Sequence, residues 1–298
     1  MANLRALVKR RKAIRNIRKI TRTMELIATA RFKKALDRAM EADAYTRKIA
    51  ELAADLTTSA GEVSHPLLAV RPTTKKVLIL VINSNRGLCG GYNGSVIREA
   101  MGKIRALREL GTPFELESSG KRGIAFFKFQ GIPRAAEYTH FEDKPSFEQV
   151  DLIANKYIDL YVSGQVDQIV IVYQKFFSIA RQQPTVETLL PLSSVAVETS
   201  KKAKVPEPAK GPSVDYEFLP DAAEILDELV PVAFKVRLFK CFLDAAVSEQ
   251  IARRVAMKAA TENAGDLIKS VTRLYNRTRQ ANITKEISEL IAGSEALK

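Results

Sequence analysis

The 298-residue sequence contains no tryptophan, only two cysteines and only two histidines. Cys89 and Cys241 are too few for a disulfide framework. Neither they nor His65 and His140 stand at the spacings that ligate a metal. A reducing compartment is the default for such a chain. Aromatic residues make up 7%, which fits a long helical structure better than an aromatic-rich β-sandwich. No run of about 18 apolar residues occurs, so no transmembrane helix is expected. The N-terminus lacks the continuous apolar core of a signal peptide. No Ser/His/Asp, Cys/His or paired-carboxylate arrangement stands out, and no catalytic residue, cofactor or metal site is expected.

Two further absences are local. There is no proline before Pro66 and no glycine before Gly61. Asn3 is a plausible N-cap, and helix formers then continue through Leu56, predicting a helix roughly 80 Å long. That length points to a coiled coil. Leu7, Ile14, Thr21, Ala28 and Ala35 recur every seven residues, with Ile17 and Met24 as the companion row. At the other end no proline follows Pro231, and Val232 to Ala292 predicts a second helix of roughly 90 Å. Ala260, Leu267, Leu274 and Ala281 repeat by seven, as do Ala264, Val271 and Thr278. Ile283, Ile287 and Leu290 continue on a shifted register, as after a stutter. Gly293 is a natural stop, whereas Gly265 costs the helix about 1 kcal/mol against alanine. Isolated helices of this kind need a partner in water. The nearest partner for each is the other, and a domain that returns the chain between them makes the pair antiparallel.

The middle has a different rhythm. Lys76 to Asn83 is a continuous apolar run, the pattern of a strand buried on both faces. A glycine-rich turn, Gly87 to Gly91, leads into a predicted helix from about Gly94 to Leu110. Phe114 to Leu116, Gln168 to Phe176 and Thr185 to Leu192 read as strands, and Lys121 to Phe129 and Phe147 to Val162 as helices. Alternating strands and helices predict a doubly covered, mostly parallel sheet. Thr199 to Pro220 has the composition of an exposed linker. The expected organisation is an N-terminal coiled-coil helix over residues 1–60, a central α/β domain over 61–215 and a C-terminal coiled-coil helix over 216–298.

The net charge is +13, and it is concentrated. Residues 1–40 hold about thirteen Lys and Arg against Glu25 and Asp37. The run Lys9-Arg10-Arg11-Lys12, continued by Arg15, Arg18, Lys19 and Arg22, has three readings: a solvated helix face, a nucleic-acid-binding surface, or a surface for an acidic protein. No aromatics interleave it for base stacking. The turn Asn85 to Asn93 follows a strand and precedes a helix, where phosphate-binding loops sit. It has neither GxGxxG nor GxxxxGK[ST], and a tight structural turn is the stronger reading. Ser248-Glu249-Gln250, Arg253-Arg254, Lys258 and the group Arg273, Arg277, Arg279 and Gln280 form a second polar set; by spacing an exposed coiled-coil face is the stronger reading, while Arg and Gln are also suited to contacts with carboxylates and backbone.

Three blocks resemble one family. They are Ile17–Lys34 (IRKITRTMELIATARFKK), Ser84–Asn93 (SNRGLCGGYN), and Ser248–Gly293, from SEQIARRVAMKAATENAGDLI through LYNRTRQANITKEISELIAG. Together they are similar to the gamma subunit of F-type ATP synthases. The resemblance implies an antiparallel coiled coil of both termini carrying a Rossmann-like α/β domain. It implies a central rotor stalk with no catalytic role. Its partners would be the alpha3-beta3 hexamer around the coiled coil, and the epsilon subunit and the c-ring of Fo at the base. It further implies contacts with acidic beta-subunit segments at Met24, Arg253, Arg279 and Gln280, with Thr284 and Glu286 in a neighbouring coupling stretch. Ile287, Leu290 and Ile291 would form an apolar tip. Peripheral attachment to the cytoplasmic side of a bacterial inner membrane is expected. The sequence departs from the family pattern at Asn85, where Asp is usual, at Arg254, where Met is common, and at Leu219-Pro220, in place of Glu-Pro. A basic coiled-coil nucleic-acid-binding protein is the alternative.

Overall fold

The computed structural model describes residues 4–59, 65–141, 144–192 and 222–295. The elements, in order, are α1 (Leu4–Ser59), β1 (Val77–Ile82), α2 (Tyr92–Glu109), β2 (Phe114–Ser119), α3 (Lys121–Phe129), β3 (Ala136–Tyr138), α4 (Phe147–Val162), β4 (Gln168–Phe176), β5 (Gln182–Leu190) and α5 (Ala222–Glu295). The chain divides into two compact units, Met1–Ala30 with Arg253–Lys298, and Arg31–Ala252.

The larger unit is built on a five-stranded sheet in the order β3-β2-β1-β4-β5. The first four strands are parallel and β5 runs antiparallel to β4. All six residues of β1 are buried, as a central strand covered on both faces requires. Val77, Ile79 and Val81 face α2 and α3, with Val96, Ala100, Ile104 and Phe127. Leu78, Leu80 and Ile82 face α4 and α5, with Tyr157, Tyr161, Phe234, Leu238 and Phe242. Pro184 lies within β5, an edge strand, where its missing N–H is tolerated. Within this unit α1 also packs on α5 through Phe32, Ala35 and Ala39 against Leu243, Val247 and Ile251.

The bounds expected for α3, α4 and β4 are those observed. Other features differ from the sequence reading. Strand β3 was not expected: three residues carry too little pattern, and they pair with β2 only over Glu117–Ser119. Helix α5 begins at Ala222 rather than after Pro231, so the proline sits inside it. An interior proline costs about 3 kcal/mol. Around it Val230, Phe234 and Leu238 are buried in the sheet-facing cluster, which offsets the lost backbone bond. The expected linker, residues 199–220, lies outside the described residues.

Candidate functional site

The smaller unit is an antiparallel helix pair. Its register is set by three contacts. The Arg11 guanidinium stands 5.2 Å from the centre of the Tyr275 ring. Arg18 lies beside Gly265. The Thr261 hydroxyl donates to Thr21 Oγ1 at 2.8 Å. Numbers rise on α1 as they fall on α5, which fixes the direction.

The seam is narrow. Leu7, Ile14, Thr21 and Ala28 are buried, the row expected from the sevenfold repeat; Leu7 and Ile14 pack with Ala264 and Val271, and Met257 is buried further along α5. The companion rows do not join them. Ile17 is 53% exposed and Met24 36%, and Leu267 and Leu274 are exposed as well. The expectation that Ile17 and Met24 complete the seam is thus corrected. Two helices bury only the stripe where they touch, and a second apolar row per helix needs another body to cover it.

The exposed faces are chemically distinct. From Leu4 to Ala30 nine Lys and Arg stand against one acid, Glu25, and Arg22 neutralises that carboxylate at 2.9 Å. Lys12, Arg15, Arg18, Lys19 and Arg22 border an open groove of about 1180 Å³, floored by Thr261 and Ile268. No aromatic residue lies between Leu4 and Ala30, so the groove has no platform for stacking bases. On α5, Arg253 is half-buried in this unit, while Arg254, Arg279, Gln280, Thr284 and Glu286 are exposed. From Ile283 to Ser294 every residue is exposed, with Leu290 at 74%. Leu4, the first described residue of α1, faces the region near Asn282 by the register above, so this end is single helix among the described residues. Ile283, Ile287, Leu290 and Ile291 recur at three- and four-residue steps, which puts them on one apolar stripe.

The glycine-rich turn in the larger unit is a different object. Asn93 holds it from inside: its Oδ1 accepts from the Ser84 N–H at 2.9 Å, and its Nδ2 donates to Ser84 Oγ at 2.8 Å. Leu88 and Gly90 both have positive φ. The Tyr92 hydroxyl donates to the Ala245 carbonyl on α5. Asn85 donates from Nδ2 to the carbonyls of Thr139 and Phe141, and its Oδ1 accepts from the Lys121 N–H. The side chains of Ser84, Asn85 and Asn93 are engaged in closing the turn. Among the described residues no group of three or more His, Cys, Asp or Glu could hold a metal, and no helix is long and apolar enough to cross a membrane.

The sequence matches the ATP synthase family over residues 3–297. It is 52% identical over 298 residues to the ATP synthase gamma chain of Rhodopirellula baltica, covering all of both chains. It is 40% identical over 297 residues to that of Leptospira biflexa, again over the full length of both. Among solved structures it resembles a chain of the Euglena gracilis mitochondrial ATP synthase in its OSCP/F1/c-ring part, with a TM-score of 0.63 and 17% identity. That match covers 99% of this chain and 94% of the other. A chain of the rotor of the same enzyme matches with a TM-score of 0.59 at 17% identity, covering 94% of this chain and 98% of that one.

Proposed function

The chain belongs to the ATP synthase gamma-chain family, and from that we infer that it is the central stalk of such an enzyme, turning within a ring of alpha and beta subunits and joined at its base to the epsilon subunit and the c-ring. The observation that carries this reading is the half-used seam. One heptad row per helix closes the pair, while a second apolar row and a dense basic face stay uncovered. A rotor needs that division. The buried row must shear for the helices to unwind, so torque passes along the pair. The outer face must meet one stator segment after another without a permanent bond.

The roles follow from placement. Met24 sits in the exposed apolar row of α1, beside basic residues that complement an acidic beta-subunit segment. Arg253, Arg279 and Gln280 present planar donor groups suited to carboxylates and backbone carbonyls. Thr284 and Glu286 lie on the same exposed stretch of α5. Ile287, Leu290 and Ile291 form an apolar tip that slides in an apolar sleeve with little friction, because it offers few directional bonds. The stalk makes no covalent bond itself; ATP forms on the surrounding subunits. Attachment to the cytoplasmic side of a bacterial inner membrane is peripheral, through the complex. The division into residues 1–60, 61–215 and 216–298 follows these roles: two shaft helices and the foot between them.

The test is functional. In the assembled enzyme, Arg279→Ala and Gln280→Leu lower coupled ATP synthesis while the thermal unfolding of the chain stays unchanged. Synthesis and hydrolysis at wild-type rates in both variants would overturn the assigned contacts. Failure of the chain to co-purify with a hexameric ATPase would overturn the stalk reading itself.

A further inference from the structure

Asp244 of α5 is a buried acid in the larger unit. It is 3% exposed, and among the described residues no hydrogen bond reaches its carboxyl group. It opens on a cavity of about 380 Å³ bounded by Ala39, Met40 and Asp43 of α1, by Phe176 at the end of β4, and by Lys240. Every charged group around it is already committed. Lys240 pairs with Asp43 of α1. On β4, Lys175 pairs with Glu187 of β5 at 3.1 Å, and Tyr173 donates to the same carboxylate at 2.9 Å. On α5, Arg237 reaches Glu187 at 2.6 Å, and the buried thiol of Cys241 lies nearby. Burial pushes the Asp244 carboxyl up to about 7; Lys240 and Lys175 oppose the rise, and Asp43 and Glu187 add to it.

Lys240 and Asp244 are four residues apart on one helix, which puts their side chains on the same face. Lys240 therefore has two carboxylates within its range, one on α1 and one on its own helix. We propose that Asp43, Lys240 and Asp244 form a proton-operated latch between α1 and α5: while Asp244 holds a proton, Lys240 is bound by Asp43 and ties the helices, and loss of the proton to water hands Lys240 to Asp244 and releases α1. The cavity gives the lysine room to swing. The latch tightens the helix pair on the sheet in mild acid and loosens it in mild alkali.

The sign follows from linkage. The tied state keeps the proton to higher pH than the released state, so release is driven by rising pH. Full-length chain carrying ¹³C-labelled aspartate, titrated by NMR, gives Asp244 a midpoint near neutrality, with the Asp244→Asn variant identifying the signal. Amide protection at residues 39–44, corrected for hydroxide catalysis, falls about tenfold per pH unit between pH 5 and 7 and levels off above. In Asp244→Asn that protection stays high at pH 8. In Asp43→Asn it is low and flat even below pH 6, because a neutral amide holds the Lys240 ammonium far more weakly than the carboxylate does. An Asp244 midpoint below 5 overturns the proposal. So does protection at residues 39–44 that ignores pH in the wild type, or that follows pH in Asp43→Asn as it does in the wild type.

Discussion

The two units of the chain solve the problem of burial in opposite ways. In the larger one, β1 is enclosed on both faces and every side chain of the strand is out of water. In the smaller one, each helix buries about one residue per heptad and leaves the rest outside. The first is specified by volume: many side chains must fit together, and many contacts share the load. The second is specified by register. A few residues, such as Ile14 and Val271, decide the pairing, and the remaining surface is free to carry charge and exposed apolar rows for partners. A part that must move against others is better served by the second solution.

Four substitutions sharpen that contrast, taken from the largest effect on stability to the smallest. Gly120→Val breaks the larger unit. Gly120 has φ +95, and an added Cβ would stand 2.1 Å from the Asn83 carbonyl oxygen at the carboxyl end of the sheet. A loss of more than about 4 kcal/mol, read as failure to fold or a collapsed denaturant midpoint, is expected. Arg237→Met leaves Glu187 with only Lys175 and the Tyr173 hydroxyl and costs about 3–5 kcal/mol near neutral pH. Burial alone would raise the Glu187 carboxyl, but Arg237 and Lys175 prevail and hold it down to about 2. Its stabilising contribution is therefore complete above the ordinary carboxylate range and is lost as pH falls towards 2. The difference between variant and wild type in urea melts should shrink over that window.

Ile14→Ala acts on the smaller unit. It removes one of the few seam residues and costs about 2–4 kcal/mol. The loss should appear as faster amide exchange in residues 7–28, with the sheet protected as before. Asn85→Asp deletes the amide donor that serves Thr139 and Phe141. Two carbonyls lose their partner, and about 1–3 kcal/mol should follow, measured as a lower thermal midpoint. Below all four, Gln280→Leu on the exposed face of α5 changes stability by less than about 0.5 kcal/mol. It weakens coupled synthesis only in the assembled enzyme. A stability loss as large as that of Ile14→Ala would mean the residue belongs to the fold rather than to the partner surface.

Much of this was readable from pattern. The absence of glycine and proline before Gly61 required a helix long enough for a coiled coil, and the row Leu7, Ile14, Thr21, Ala28 identified its inner edge. Lys121 to Phe129, Phe147 to Val162 and Gln168 to Phe176 were bounded by turn residues and clear periodicity, and they fold with those limits. What failed to show had a common cause. Ile17, Met24, Leu267 and Leu274 look like seam residues because leucine or isoleucine at sevenfold spacing carries no record of which neighbour will cover it. Pro231 looks like a helix boundary because its neighbours' burial against the sheet is not local information. Asp244 looks like any acid on a polar stretch of helix. Its isolation comes from Lys240 and Lys175 being claimed by Asp43 and Glu187, which are distant in sequence.

The sequence by itself determined the two long helices, the parallel character of the sheet and the concentration of positive charge near the N-terminus. Each of these follows from backbone propensity, periodicity or composition, which act over a few turns of chain. Only the tertiary structure decided which apolar row closes the helix pair, that the glycine-rich turn is filled by its own side chains, and that one carboxyl group sits without a partner beside α1. Those outcomes depend on which atoms compete for the same neighbour, and that competition begins only when distant segments meet.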